Sequence, residues 1–108
     1  MFPSHDLAVY DLKADCYETP FFKANVQIAM REFALVCRDS QMLMNQFPDD
    51  YELHELGDFD KELGVFQLHL RSATGDEGET IILPKPKILC TARQCLVLEE
   101  KKDVQKSA

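Results

Sequence analysis

The sequence predicts an α+β fold in which a small antiparallel sheet packs against one main amphipathic helix. Apolar residues recur at steps of three and four over residues 26–38, the period of a helix that is buried along one face. The segments on either side are rich in β-branched and aromatic residues, and short turn sequences separate them closely enough to form hairpins. The length of 108 residues fits one domain with a small core, to which dimerisation would add stability.

The first predicted strand covers residues 7–12 (LAVYDL), and residues 13–15 are predicted to form a turn. Residues 16–23 are predicted to return as a second strand. Pro20 favours an edge position or a bulge for this strand, because proline lacks the N–H that a central strand donates. Phe21 and Phe22 alternate across it, so one ring is expected in the core and the other at the surface.

The helical period predicts a helix over Val26–Arg38 with Asn25 as its N-cap, because an asparagine oxygen accepts a free N–H of the first turn. Phe33 is expected to be the central residue of the buried face. A short extra turn is predicted over residues 41–46 (QMLMNQ), at the edge of the sheet. The apolar stripe of the helix consists of Val26, Ala29, Met30, Phe33, Val36 and Cys37.

A hairpin is predicted over residues 47–66 (FPDDYELHELGDFDKELGVF). Its turn runs from Asp60, whose carboxylate accepts backbone N–H groups, to Gly64, which takes positive φ. The apolar alternation of the first arm breaks at Leu56, and a bulge near Gly57 is predicted because it would restore the phase. Residues 72–79 (SATGDEGE) are predicted to be a flexible polar loop before a strand over residues 80–84.

Two parts of the chain are predicted: an α+β core domain over residues 1–83 and a C-terminal extension over residues 84–108 with a charged end. The extension is expected to pack on the core or on a partner subunit, because its CLVL run (residues 95–98) is too apolar for a disordered tail. The sequence leaves three arrangements open: a late strand pair that closes the sheet, an arm exchanged within a homodimer, and a partly ordered tail.

Three blocks of sequence carry a family resemblance: VYDLKADCYETPFFKAN (residues 9–25), AMREFALVCRD (residues 29–39) and the hairpin run at residues 47–66. In order and spacing they resemble the small non-structural protein of gokushoviruses, single-stranded DNA phages of the Microviridae, over about residues 7–70. The resemblance implies a DNA-binding or replication accessory protein that assists single-stranded genome synthesis in the host cell cytoplasm. It carries no catalytic motif onto this chain.

The formal net charge of −7 opposes direct DNA binding, since nucleic-acid-binding surfaces normally carry an excess of lysine and arginine. The charge is unevenly distributed: residues 1–44 carry −2, residues 45–80 carry −8 and residues 81–108 carry +3. A chain polarised in this way can approach a polyanion through one face.

Candidate DNA-contacting residues fall into two groups. Aromatic residues and lysines interleave near the N-terminus, a pattern with which strand surfaces stack the bases of single strands and follow their phosphates. Arginines off the apolar stripe of the helix and the basic C-terminal region supply the second group. Core packing of the rings and ordinary surface charge are the competing interpretations. The first group is Tyr10, Lys13, Tyr17, Phe21, Phe22 and Lys23, and the second is Arg31, Arg38, Lys85, Lys87 and Arg93.

The acidic hairpin favours a different hypothesis, a protein-binding adaptor that contacts the phage initiator or a host replication protein through Asp58, Asp60 and Glu62. A third hypothesis is a DNA mimic whose carboxylates imitate phosphates. The resemblance makes DNA binding the leading hypothesis, and the acidity of the chain favours the adaptor as the alternative to it.

Enzymatic activity is not predicted. The sequence contains no phosphate-binding glycine loop, no HExxH motif and no serine, histidine and aspartate arrangement, so no catalytic residue and no cofactor is assigned. No apolar run reaches the ~18–20 residues that span a bilayer, and the N-terminus lacks the features of a secretion signal. A soluble protein is therefore expected.

Metal binding is not predicted either. Zinc sites usually show close cysteine or histidine pairs, and the nearest pair here, Cys90 and Cys95, has four residues between its members. His5, His54 and His69 could complete such a site, and His54 and His69 fall on opposite arms of the hairpin where they can be neighbours. The cysteines are irregularly spaced, and free thiols are expected for a protein of a reducing compartment. They are Cys16, Cys37, Cys90 and Cys95.

Overall fold

The computed structural model describes residues 4–97, which form eight strands, one long helix and shorter helical segments. This mixed architecture, rich in antiparallel strands, agrees with the predicted class. In chain order the elements are β1 (Ser4–Asp11), β2 (Cys16–Tyr17), β3 (Phe21–Lys23), α1 (Val26–Arg38), α2 (Leu43–Gln46), a 3-10 helix (Pro48–Asp50), β4 (Tyr51–Asp60), β5 (Val65–Leu68), β6 (Leu70–Thr74), β7 (Thr80–Pro84) and β8 (Lys87–Thr91). Residues 92–97 are helical and follow β8 directly.

The main sheet is centred on β1 and β4, which pair in antiparallel fashion along their whole lengths. The short strands β2 and β3 share the outer edge of β1, each pairing with one end of it. Strands β5 and β8 share the outer edge of β4 in the same way. Among the described residues, β6 and β7 pair only with each other, and they form a separate two-stranded hairpin.

Helix α1 has the predicted bounds, cap and buried face. The Asn25 carboxamide oxygen accepts the N–H groups of Gln27 and Ile28 at 2.7 and 3.3 Å, which satisfies two free donors of the first turn. Phe33 is 4% exposed and lies in the core with Leu7 of β1 and Leu53 of β4. The core thus forms between one face of the main sheet and the apolar stripe of α1.

The hairpin of β4 and β5 contains the predicted turn. Asp60 accepts the N–H groups of Glu62 and Leu63 through its Oδ1 atom, and the Gly64 N–H donates to the Asp60 carbonyl at 2.8 Å. Gly64 has φ of 67°, a conformation that glycine adopts without steric cost. The sequence-based prediction of this turn is confirmed.

The predicted bulge lies next to Gly57. In the pairing of β1 with β4, Asp6 faces Gly57 whereas Leu7 faces Glu55, so Leu56 is an extra residue on β4. A one-residue bulge reverses the alternation of side chains, and residues on the two sides of it that differ by three positions come to share a face.

Two predicted elements differ from the observed ones. The return strand at residues 16–23 is split into β2 and β3, because Glu18, Thr19 and Pro20 leave the ladder and proline has no N–H to donate. The polar loop at residues 72–79 is shorter than predicted. Residues 72–74 belong to β6 and pair with Ile82, Ile81 and Thr80 of β7, because cross-strand pairing overrides the polar character of a short segment.

The described part of the C-terminal extension packs within the chain. Strand β8 pairs with β4 and thereby adds to the main sheet. Of the three arrangements left open, the late strand pair agrees with β8 only, because residues 92–97 are helical and bury Ala92 and Cys95 against the core. Lys101, Lys102 and Lys106 of the charged end lie outside the described residues.

The cysteines are free thiols, as predicted, with Cys16 exposed and the others buried in the core. Within residues 4–97, no helix is both long and apolar enough to cross a membrane.

Candidate nucleic-acid interface

The main sheet has two faces of different character. Odd-numbered residues of β1, such as Leu7 and Val9, point into the core beneath α1. Even-numbered residues point to the other face, which we call the open face. Cross-strand partners share a face, so the register assigns several aromatic side chains to the open face together. They are Tyr10, Tyr17, Phe22, His54, Phe59 and Phe66.

The first aromatic cluster of the open face joins Tyr10, Tyr17 and His54. The ring centroids of Tyr10 and Tyr17 are 4.8 Å apart, and the Tyr10 ring stacks on His54 at 5.2 Å with an interplanar angle of 24°. The Tyr17 hydroxyl lies 2.8 Å from His54 Nδ1, and His54 Nε2 lies 2.9 Å from a carboxylate oxygen of Glu52. His54 is buried beneath the two tyrosines, and its contacts with them and with Glu52 hold the tyrosine rings in place at the surface.

Both tyrosines are held in the neutral form. The Tyr10 hydroxyl donates to the Asp15 carboxylate, and this hydrogen bond raises the pKa of Tyr10 to about 12. Burial raises the pKa of Tyr17, and the charge of Glu52 acts in the same direction. Neutral phenol rings stack on bases without repelling the phosphates that accompany them.

The second aromatic cluster lies at the other end of β1. Phe59 and Phe66 face each other across β4 and β5 with centroids 4.8 Å apart, and Phe22 of β3 lies 6.0 Å from both. Phe22 is 45% exposed and Phe66 is 57% exposed. Ser4, which faces Phe59, is six positions from Tyr10, and Asp6, which faces Phe22, is four, so at ~3.3 Å per residue these rings lie about 13–20 Å from Tyr10 along β1.

The predicted N-terminal group is therefore divided. Tyr10, Tyr17 and Phe22 lie on the open face, whereas Phe21 packs against the core, as the alternation of the two phenylalanines predicted. His54, Phe59 and Phe66 were not assigned from the sequence. They can be recognised because directly paired residues of neighbouring strands point to the same face. This requires the register of β1, β3, β4 and β5 to be known.

The predicted lysines are spread over several places. Lys13 is exposed in the turn between β1 and β2. The Lys23 ammonium forms an ion pair with Glu32 of α1 at 2.8 Å. Lys85 and Lys87 are exposed in and after the bend between β7 and β8. Lys23 also lines a pocket of about 440 Å³ with the three phenylalanines of the second aromatic cluster, and the other predicted lysines do not line it.

The predicted arginines come together. Arg31, Arg38 and Arg93 line a groove of about 640 Å³ between α1 and residues 92–97, with an apolar floor that includes Met30 and Leu89. Arg93 also donates from Nε and Nη2 to the two carboxylate oxygens of Asp49, both at 2.9 Å, and this pairing lowers the pKa of Asp49. No aspartate or glutamate is among the described residues that line the groove.

The acidic candidates have separate surroundings. Asp60 accepts the backbone N–H groups of its own turn, and Glu62 is exposed in that turn. By its pairing with His5, Asp58 lies on the face of the sheet opposite to the open face, and its Oδ1 atom lies 3.3 Å from His5 Nδ1. The predicted neighbours His54 and His69 do not meet, because the register places Gly57 rather than His54 opposite the end of β5.

Comparison with known proteins adds one finding. The family model described as Phage ORF5 protein matches residues 6–74, which is more than half of the chain and runs from β1 to the end of β6. No curated protein and no solved structure matches the chain. The matched region contains every aromatic residue of the open face, together with the turn and the bulge of the β4–β5 hairpin. The chain therefore belongs to the phage ORF5 protein family.

Proposed function

We propose that this protein is a non-enzymatic, gokushovirus-type accessory protein that binds single-stranded DNA through the open face and assists genome synthesis in the host cytoplasm. The observation that carries the proposal is the pair of aromatic clusters on a sheet face that α1 does not cover. Exposed rings on a sheet stack unpaired bases without sequence preference. The family membership and the resemblance to gokushovirus proteins support the same function.

The preference for single strands follows from the geometry of stacking. Bases within a duplex are already stacked and paired, so their faces are not available to Tyr17 or Phe22. The separation of about 13–20 Å between Tyr10 and the rings of the second cluster suits an extended strand that lies along β1 and contacts both clusters.

The electrostatic contribution is expected to be small. The net charge of −7 opposes long-range attraction to DNA, and the arginine groove lies on the helix side of the sheet rather than on the open face. Binding is therefore expected to depend on salt less steeply than that of a protein with many phosphate contacts.

Loss of a stacking ring is expected to weaken binding to single strands. Phe22→Ala and Tyr17→Ala should each raise the Kd for a fluorescein-labelled single strand by about 5- to 150-fold, the equivalent of ~1–3 kcal/mol per stacked base. Fluorescence anisotropy from low to physiological salt measures this, with the duplex as the comparison ligand. Wild-type protein should bind the single strand more tightly than the duplex.

The controls separate stacking from loss of structure. Tyr17→Phe keeps the ring and removes the hydroxyl that meets His54, so it should retain most of the affinity. Leu35→Ala removes an exposed apolar side chain of α1 and should leave the Kd unchanged. If both alanine variants bind the single strand but Arg31→Ala does not, the DNA binds in the arginine groove and not on the open face. If the wild-type protein binds no DNA at low salt, the proposal is rejected.

The second candidate function is an adaptor that contacts the phage initiator or a host replication protein. The exposed position of Glu62 at the tip of the acidic hairpin favours it. If the wild-type protein binds no DNA while Glu62→Lys impairs phage DNA synthesis in infected cells, this candidate replaces the first. A DNA mimic would also respond to Glu62→Lys, but it would compete with DNA for a partner.

Homodimerisation is part of the proposal. The β6–β7 hairpin and β5 expose large apolar side chains, more than the isolated exposed leucines of an ordinary surface. A second copy of this chain is the proposed occupant, since a small core gains stability from such burial. Apart from Phe66, which belongs to the open face, the exposed set comprises Leu63 of the preceding turn, Val65, Leu68, Leu70, Ile81 and Ile82.

Charge placed on this hairpin is expected to prevent self-association. Leu70 and Ile82 lie on one face of the β6–β7 pair, because their partners are Pro84 and Ser72 in the same register. The double variant Leu70→Lys, Ile82→Lys should sediment as a monomer at concentrations where the wild type is a dimer. Leu35→Lys, on α1, should remain dimeric, and a monomeric wild type at all concentrations would contradict the proposal.

A further inference from the structure

A cluster of metal-ligating side chains lies away from the open face, at the point where β1, β4 and the end of β5 meet. His5 of β1 faces Asp58 of β4 in the register, and Glu55 of β4 faces Leu7, the next core-side residue of β1. Glu55 and Asp58 are three positions apart and would point to opposite faces of a regular strand. The bulge at Leu56 brings both carboxylates to the same side as His5.

The ligand atoms converge at distances that suit a shared ion. His5 Nδ1 lies 3.3 Å from Asp58 Oδ1 and 3.6 Å from Glu55 Oε2, and one ligand atom from each of the three residues lies within 4.8 Å of the others. Nitrogen and oxygen ligands at 2.0–2.2 Å from one tetrahedral ion are separated from each other by about 3.3–3.6 Å. The two measured distances fall at the ends of that interval.

Burial gives the cluster a second, independent property. Glu55 is only 7% exposed, and the groups beside its carboxylate are the imidazoles of His5 and His69. His5 Nδ1 and Asp58 Oδ1 are shielded from solvent and make no hydrogen bond, although they face each other. Two shielded polar atoms without hydrogen bonds, beside a buried carboxylate, are groups whose bonding an ion between them would complete.

His69 is not one of the three ligands, but its side chain contacts the Glu55 carboxylate. Its Nε2 atom lies 2.7 Å from Glu55 Oε1, the carboxylate oxygen that does not face His5. The His69 backbone is held in place by its N–H, which donates to the carbonyl of the bulge residue Leu56 at 3.0 Å. A hydrogen bond to the second oxygen of a ligating carboxylate orients it, as the partners of metal ligands commonly do.

We propose that His5, Glu55 and Asp58 bind one divalent transition-metal ion, with His69 as the positioning residue for Glu55. One imidazole and two carboxylates suit ions such as Mn²⁺ or Zn²⁺, and three protein ligands leave a coordination position for water. The ion joins β1 to β4 beside the bulge and offsets part of the negative charge of residues 45–80. The site is independent of the DNA-binding proposal, because its side chains are not those of the aromatic clusters.

Mn²⁺ is the probe of choice, because it prefers oxygen and imidazole ligands to the thiols that this chain also carries. The full chain without an affinity tag, with Cys16→Ser to remove the exposed thiol, is titrated with Mn²⁺ while electron paramagnetic resonance measures the free ion. One Mn²⁺ per chain is expected. The melting temperature should rise with Mn²⁺ concentration, because an ion that binds only the folded chain stabilises it.

Variants distinguish a built site from adventitious binding. Asp58→Asn, which replaces one carboxylate oxygen with an amide NH2 group, should abolish stoichiometric binding. His69→Ala should weaken binding by about 10- to 100-fold. Glu62→Gln removes the same charge from the exposed turn and should leave the Kd unchanged. Absence of binding to the wild type, or equal Kd values for the wild type and a folded Asp58→Asn variant, would overturn the proposal. Circular dichroism establishes that each variant is folded.

Discussion

Phe33→Ala is expected to lower the free energy of unfolding by about 3–5 kcal/mol, the usual cost of removing a buried phenylalanine side chain. Phe33 is the largest apolar residue of the buried face of α1, and it packs among core residues of β1 and β4. Small domains commonly have a total stability of about 5–15 kcal/mol, so this change removes a large part of it. The variant should be partly or wholly unfolded at physiological temperature.

Urea denaturation followed by far-ultraviolet circular dichroism measures this loss. Leu35→Ala is the matched control, because Leu35 lies on the same helix and is 59% exposed, so its replacement should cost less than about 1 kcal/mol. A Phe33→Ala variant with the same denaturation midpoint as Leu35→Ala would contradict the assignment of the core to this face of α1.

Gly57→Ala is expected to destabilise the protein by about 3 kcal/mol, the upper end of the usual cost of overpacking. A Cβ atom on Gly57 would lie 2.1 Å from the Gln67 carbonyl oxygen and 2.8 Å from the Leu68 Cα atom. Both are backbone atoms of β5, so neither can rotate away as the end of a side chain would. Relief requires β5 to move from β4, which also displaces Phe66 from the second aromatic cluster.

The comparison with Gly64→Ala isolates this effect. Nothing lies within 4 Å of a Cβ atom at Gly64, so the cost there arises from its positive φ alone and should be about 1–2 kcal/mol. Denaturation midpoints of the two variants test the difference. If Gly57→Ala proved no more destabilising than Gly64→Ala, the close approach of β4 to β5 would be incorrect.

Local features of the chain were predictable because short-range interactions specify them. The helix over Val26–Arg38 follows from its apolar period and from Asn25, and the hairpin turn follows from Asp60 and Gly64. The bulge was predictable from the broken alternation at Leu56. The segment at residues 72–74 was misassigned as a loop because its β7 partners lie outside a local window.

Membership of the proposed binding surfaces depends on long-range register, and this is where the sequence analysis was incomplete. Tyr10, Tyr17 and Phe22 were identified by residue type, but their companions His54 and Phe66 are contributed by other strands. The aromatic partners become neighbours only when the five strands β1 to β5 are aligned. A shift of one residue in any pairing would turn these side chains to the opposite face.

The sequence by itself determined the family, the class of fold, the main helix with its core residue Phe33, and the turn of the hairpin. Only the tertiary structure decided which aromatic rings share the open face, that arginines of α1 and of residues 92–97 line one groove, and that His5 meets Glu55 and Asp58. The physical reason is the range of the interactions. Capping, turn geometry and periodicity act within a few residues, whereas the sites depend on strand register, a single bulge and packing between segments distant in the chain.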